Sequence, residues 1–231
     1  MAENQKRDNT ADLANRAFDI VALASSAGGL TALSQILSSL PSDFPAAIVV
    51  VQHLDPRHRS LMADILSRRT PLRVKQAEEG ERLSPGMVYV APPNRHLLVN
   101  PDSTLSLSQS ELVHFVRPSA DLLFESVAAS HTHRAIAVVL TGTGSDSSLG
   151  VQAIRKMGGT VIAQDQQTSE FFGMPGAAIQ SGSVDFVLPL NEIPQALVTL
   201  VMKGKARPSV CGCRWQKVRS DFADGTDREA E

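Results

Sequence analysis

Short, almost wholly apolar runs at residues 19–24, 46–52, 135–140, 160–163 and 184–188 alternate along the chain with stretches of helical periodicity. A strand apolar on every residue has to be covered on both faces, and strands joined through helices lie parallel. The alternation therefore predicts a doubly wound α/β domain, a Rossmann-like, mostly parallel sheet with helices on both faces.

The helical segments carry their own signals. After Gly28 and Gly29, Leu30, Leu33, Ile36, Leu37 and Leu40 recur at helical spacing and form one buried stripe that ends before Pro41. Leu61, Ile65 and Leu66 predict a helix over 60–68. Ser119 has the form of an N-cap, and Asp121 places a negative charge in the first turn, so residues 120–130 are expected to be helical. Further helices are predicted over 149–157, closed by Gly158 and Gly159, and over 193–202. Between residues 72 and 107, short strands punctuated by Pro85-Gly86 and Pro92-Pro93 predict an excursion beside the main sheet.

Composition excludes several function classes. The chain has 231 residues, of which 22 are basic and 24 acidic, for a net charge of −2. That balance supplies no field to draw it onto nucleic acid. Its apolar runs fall far short of the roughly 20 residues that span a bilayer, so no membrane insertion is expected. Residues 1–17 are polar, lack the apolar core of a secretory signal and read as a disordered leader, consistent with a cytoplasmic protein. Residues 204–231 lose hydrophobic periodicity and read as a disordered tail, leaving 18–203 as the folded domain. Cys211 and Cys213 lie in that tail, too few and too peripheral for a disulfide framework, and Trp215 there has no evident role.

Three loops carry the chemistry, each leaving the carboxyl end of a predicted strand, the edge where ligands gather in open parallel sheets. In Ala24-Ser25-Ser26-Ala27-Gly28-Gly29, a serine two residues before a glycine in a strand-to-helix turn is like the Gly-x-Ser-x-Gly elbow, which projects a hydroxyl beside backbone amides. Ser26 fits that register and Ser25 does not. Ala24 replaces the first elbow glycine, and a merely flexible turn remains an alternative. Nucleotide binding is disfavoured because neither Gly-x-Gly-x-x-Gly nor the Lys-Ser/Thr of a phosphate loop occurs, and no cofactor is expected.

His53, just after the second strand, is placed to act as a general base, whereas His58, between Arg57 and Arg59, reads as solvated. A metal site built from these histidines with His131 or His133 is a weak alternative without a ligand-spacing motif. Thr141-Gly142-Thr143-Gly144-Ser145-Asp146 leaves the strand at 135–140, and Asp146 is a candidate to orient His53; the competing role is a cap on the helix that follows. The chain order Ser26, His53, Asp146 differs from the Ser, Asp, His order of α/β-hydrolases.

At these residues the sequence resembles the catalytic domain of the bacterial chemotaxis protein-glutamate methylesterase family, CheB. The resemblance runs over residues 18–200 through the blocks LASSAGGLTAL, VVVQHLDP, LSPGMVYVAPPNRHLLV, RPSADLLFESVA and AVVLTGTGSDSSLGVQAIRKMGGTVIAQDQQTSEFFGMPGAAI. It implies a serine hydrolase that removes methyl groups from glutamyl methyl esters of chemoreceptors and deamidates receptor glutamines. Ser26 is then the nucleophile, His53 the base and Asp146 its orienter. The Ala27, Gly28 and Gly29 backbone and the amide near Thr143 become candidate oxyanion donors. Arg95 and Met174, in loops expected to rim the crevice, become candidate substrate contacts; Arg117 is ambiguous.

The match is not complete. The family pattern Ser-Thr-Gly-Gly is here Ser26-Ala27-Gly28-Gly29, and Thr-Gly-Met-Gly-x-Asp-Gly is here Thr141-Gly142-Thr143-Gly144-Ser145-Asp146-Ser147. These forms look more like the esterase domains fused to methyltransferase and sensor-kinase modules. The family's N-terminal receiver domain needs roughly 100 residues, and far fewer precede the first strand. The resemblance thus implies a stand-alone esterase whose partners are a methylated chemoreceptor or related signalling protein, with a separate receiver or kinase as candidate regulator. A non-catalytic module that binds a receptor or sensor kinase is the competing reading.

Overall fold

The computed structural model describes residues 18–53 and 60–203. The expected leader, His58, and the tail with Cys211, Cys213 and Trp215 lie outside the described residues. Strands β1 (Ile20–Ser25), β2 (Ala47–Gln52), β3 (Arg73–Gln76), β4 (Met87–Val90), β7 (Ala135–Val139), β8 (Thr160–Gln164) and β9 (Phe186–Leu188) form one sheet in the order β3-β4-β2-β1-β7-β8-β9. Every neighbouring pair in it is parallel. Two further strands, β5 (His96–Val99) and β6 (Leu105–Ser108), pair antiparallel as a separate hairpin.

Because side chains alternate across a strand, each strand feeds two cores. Val21 and Leu23 of β1 point with Ile48, Val50, Ile136 and Val138 towards helices α1 (Gly29–Ser38), α2 (Met62–Ser67) and α6 (Ile193–Lys203). Ile20, Ala22 and Ala24 point the other way, towards α3 (Ala120–His131), α4 (Ser148–Lys156), α5 (Gly173–Gln180) and the hairpin. The doubly wound expectation holds in this form. α3 and α4 meet closely at Gly150, where a Cβ would lie 2.6 Å from that of Phe124.

Two expectations need correction. Residues 72–107 are not wholly an excursion: β3 and β4 extend the main sheet, and only β5 and β6 stand apart. β4 lies inside the sheet beside β2, with Val88, Tyr89 and Val90 all buried, and β3 pairs on its outer side as an exposed edge, whereas β5 and β6 pair with each other. The segment carrying Met174 is not a loop, because α5 begins at Gly173. Pro175 is tolerated there because the first turn of a helix has amides without intrahelical partners.

Candidate active site

The central strand β1 has β2 on one side and β7 on the other, so the chain reverses its direction of winding at β1. Ligand crevices of open parallel sheets form beyond the carboxyl ends of strands at such a point. Ser26 leaves β1 there, and its amide donates to the Thr141 carbonyl at 3.0 Å. His53 leaves β2 there, and its amide donates to the Ser25 carbonyl at 3.1 Å. The three predicted loops therefore share one edge.

Asp146 reaches across the edge to His53, with Oδ2 2.8 Å from the imidazole Nε2. Nδ1 is thereby the nitrogen left to carry the lone pair. The Asp146 carboxylate is buried and also accepts from the Ser119 hydroxyl at 2.8 Å, the Ala120 amide at 2.6 Å and the Asp121 amide at 3.1 Å. Burial alone pushes this carboxyl up. The hydrogen bond from His53, the Ala120 amide, the imidazole's charge and the Ser119 hydroxyl outweigh it and hold the group below the usual carboxylate range.

Asp146 thus caps α3, not the helix that follows it. The cap of α4 comes from α3: Asp121 Oδ1 accepts from the amides of Ser147, Leu149 and Gly150 at 3.1, 2.9 and 2.7 Å. Each of the two carboxylates satisfies the other helix's orphan amides, which locks α3 and α4 at their N-termini. Burial raises the Asp121 carboxyl above its ordinary value despite those amides.

Behind Ser119 stands His96, fully buried. Its Nδ1 accepts from the Ser119 amide at 3.1 Å and its Nε2 donates to the Glu111 carbonyl at 3.0 Å, while burial pushes the imidazole below the ordinary histidine range. His96 is therefore a neutral brace for the residue that braces Asp146. Ser119 was legible in the sequence as a cap, and His96 only as a rim contact beside Arg95, which its burial excludes; nothing in the spacing pointed to the contact of Ser119 with Asp146 or to the bracing role of His96.

The two serines differ in their surroundings. Ser25 is fully buried and its hydroxyl donates to Gln52 Oε1 at 2.6 Å. Ser26 is half-buried, its carbonyl accepts from Gln52 Nε2 at 2.7 Å, and its hydroxyl makes no hydrogen bond among the described residues. Gln52 and Ser25 pack so closely under α1 that a Cβ on Gly29 would lie 1.9 Å from Gln52 Oε1.

Among the described residues, the amides of Ala27, Gly28 and Thr143 have no hydrogen-bond partner. Gly29 does not belong with them, because its amide is already donated to the Ser26 carbonyl at 2.9 Å. Met174 is fully buried and cannot be a rim contact in this conformation; it packs beneath Gly142 and Ser26, and its amide donates to the Gly142 carbonyl at 2.9 Å. Arg95 lies farther along the edge, in a cleft of about 430 Å³ lined also by Gln76, Pro92 and Leu107. Arg117 is structural, with Nε and Nη2 donating to Asn94 Oδ1 at 3.0 and 2.7 Å.

Ser147 adopts φ 117° and buries a hydroxyl that has no partner among the described residues. A side chain is disfavoured at that backbone angle, and a buried unpaired hydroxyl adds a desolvation cost. Ser147→Gly is expected to stabilise the fold by about 1 kcal/mol or more, read as a rise in the thermal unfolding midpoint. An unchanged or lower midpoint would contradict this account of the turn.

A strand-to-helix serine whose hydroxyl, like three nearby amides, has no partner among the described residues, together with an imidazole tied to a buried carboxylate at one switch point, is the equipment of an α/β serine hydrolase. Known proteins agree with that class. The family model described as CheB methylesterase matches residues 21–197. A Leptospira interrogans protein named as a protein-glutamate methylesterase/protein-glutamine glutaminase is 42% identical over 183 residues, covering 79% of this chain and 95% of that one. A Thermotoga maritima protein-glutamate methylesterase/protein-glutamine glutaminase is 42% identical over 185 residues, 79% of this chain but 54% of its own length. The crystal structure of the Thermotoga maritima CheB methylesterase catalytic domain superposes with a TM-score of 0.77 at 41% identity, covering 80% of this chain and 99% of that one. The chain belongs to the CheB methylesterase family.

Proposed function

We propose that this chain hydrolyses glutamyl methyl esters on a chemoreceptor, with Ser26 as nucleophile, His53 as base and Asp146 as its orienter. The observation that carries the reading is the 2.8 Å contact between His53 Nε2 and Asp146 at the edge where Ser26 leaves β1. His53 Nδ1 takes the Ser26 proton as the hydroxyl oxygen bonds to the ester carbonyl carbon, and the negative charge moves to the carbonyl oxygen. The amides of Ala27, Gly28 and Thr143 are the donors available to that oxyanion. His53 returns the proton to the methoxy oxygen as the C–O bond breaks, so methanol leaves and an acyl-serine remains. Water, deprotonated by the same imidazole, then releases the glutamate carboxylate and restores the hydroxyl.

A receptor glutamine would enter the same acyl-enzyme with ammonia as the leaving group, which accommodates the glutaminase named in the relatives. Replacement of the family's threonine by Ala27 leaves this chemistry intact because the donors are backbone groups. Among the described residues, no helix is long and apolar enough to cross a membrane. This fits an enzyme acting from the cytoplasm on a receptor or related signalling protein, with a separate receiver or kinase as candidate regulator.

The test is release of methanol from a methylated chemoreceptor by the purified chain. Stoichiometric loss of receptor methyl groups as methanol is the expected result. A folded protein that binds the receptor without releasing methanol would replace this reading with the binding module.

A further inference from the structure

Four of the seven exposed large hydrophobic side chains among the described residues, Leu112, Phe115, Leu149 and Phe171, sit on segments bonded to the candidate site. Leu149 donates its amide to Asp121, and the Phe171 carbonyl accepts from the Gly142 amide. Leu112 follows Glu111, whose carbonyl His96 holds, and Phe115 follows His114, whose Nε2 lies 3.4 Å from Asp121 Oδ2. Single exposed apolar residues are ordinary on protein surfaces, but a set gathered round one site is not.

Phe115 is the extreme member, 94% exposed at the tip of a tight turn. Val113 and Val116 close that turn with reciprocal backbone hydrogen bonds at 3.2 and 2.9 Å. His114 and Phe115 between them take φ 49° and 64°, angles that side chains other than glycine, asparagine and aspartate seldom adopt. Burial does not favour an aromatic ring at this position, and the backbone opposes it. The base of the loop is nonetheless firmly held: Arg117 Nη1 donates to the carbonyls of Gln109 and Ser110 at 3.0 and 2.6 Å, and its other nitrogens hold Asn94. Two residues on from Arg117, Ser119 donates to Asp146. A hydrogen-bonded stalk thus connects an exposed aromatic tip to the carboxylate that orients His53.

We propose that residues 109–118 form a substrate-reading finger, and that Phe115 is its anchor, inserting against an apolar segment that flanks the esterified glutamate in the protein substrate. The proposal rests on the hydrolase reading above and names what that reading leaves open, how the macromolecular substrate is chosen. Aromatic side chains dominate the buried centres of protein interfaces, and a preformed turn loses little freedom when it docks. Phe115 stands clear of the described hydrogen bonds of the site, so a reagent small enough to reach Ser26 alone does not need it.

Phe115→Gly removes the ring and suits the positive φ, so any loss cannot be assigned to a strained turn. Two readouts separate the possibilities: the rate of Ser26 labelling by a small fluorophosphonate, and methanol release from methylated chemoreceptor. The expected result is unchanged labelling with a fall of about tenfold or more in kcat/KM for the receptor, carried by KM, and recovery in Phe115→Tyr. Unchanged receptor kinetics would overturn the finger and leave the hydrolase standing. An equal fall in labelling and receptor turnover would also overturn it, because the residue would then act through the site itself. A wild-type chain that neither labels nor releases methanol would remove the hydrolase reading and the finger together.

Discussion

Ser26→Ala abolishes methanol release, with an expected fall in kcat of about 10⁴-fold or more, the range seen when a serine nucleophile is deleted from a hydrolytic triad. The physical ground for so large an effect is that the neighbouring serine cannot take its place. Ser25, the adjacent hydroxyl, is fully buried and donates to Gln52. The fold should be unaffected, because the Ser26 hydroxyl makes no hydrogen bond among the described residues while its backbone groups carry the contacts to Thr141, Gly29 and Gln52. Thermal unfolding of the variant should therefore match the wild type, and fluorophosphonate labelling should disappear. Retained turnover in a folded Ser26→Ala protein would move the nucleophile elsewhere.

Asp146→Asn should reduce kcat by a comparable factor, about 10⁴-fold, but with a different signature. The amide cannot stabilise a charged imidazole, and it can hold His53 in the wrong tautomer. It also weakens the N-terminal cap of α3, since Ser119, Ala120 and Asp121 all donate to this one carboxylate. A loss of about 2–3 kcal/mol in stability is expected from replacing charge-assisted bonds by neutral ones at a buried position. Activity and stability fall together here, whereas Ser26→Ala loses activity alone.

The pH dependence follows from the depressed Asp146 carboxyl. Its contribution to stability is present above the ordinary carboxylate value near 3.9 and is lost as pH falls through the lower folded value. No inflection in kcat/KM above about pH 5 should therefore come from Asp146, and Asp146→Asn should flatten the acid limb of the unfolding midpoint. An acid limb of unchanged steepness in that variant would mean that other carboxylates, such as the raised Asp121, govern it.

Much of this was readable in the linear chain because the relevant physics is local. Continuous apolar runs dictate buried parallel strands, helical spacing dictates the stripe of α1, and a small-residue turn after a strand marks where a hydroxyl emerges. Ser26, His53 and Asp146 were legible as residues at strand ends for that reason. Gly29 and Met174 were misread, because an amide's availability and a side chain's burial depend on neighbours distant in sequence: Ser25 and Gln52 press on Gly29, and Gly142 covers Met174. Arg95 was misplaced because β3 and β4 join the sheet and carry the loop after them outward along the edge.

The parallel α/β class and the identity of the three loops were settled by residue pattern alone, since both depend on which stretches must be hidden from water, whereas the order of strands and the switch of winding at β1 appear only in the structure. Which carboxylate caps which helix was decided only in three dimensions. Asp121 and Asp146 lie 25 residues apart and exchange helices through the close approach of α3 to α4 at Gly150. An orphan amide takes whichever acceptor packing brings within reach, and no spacing rule along the chain encodes that.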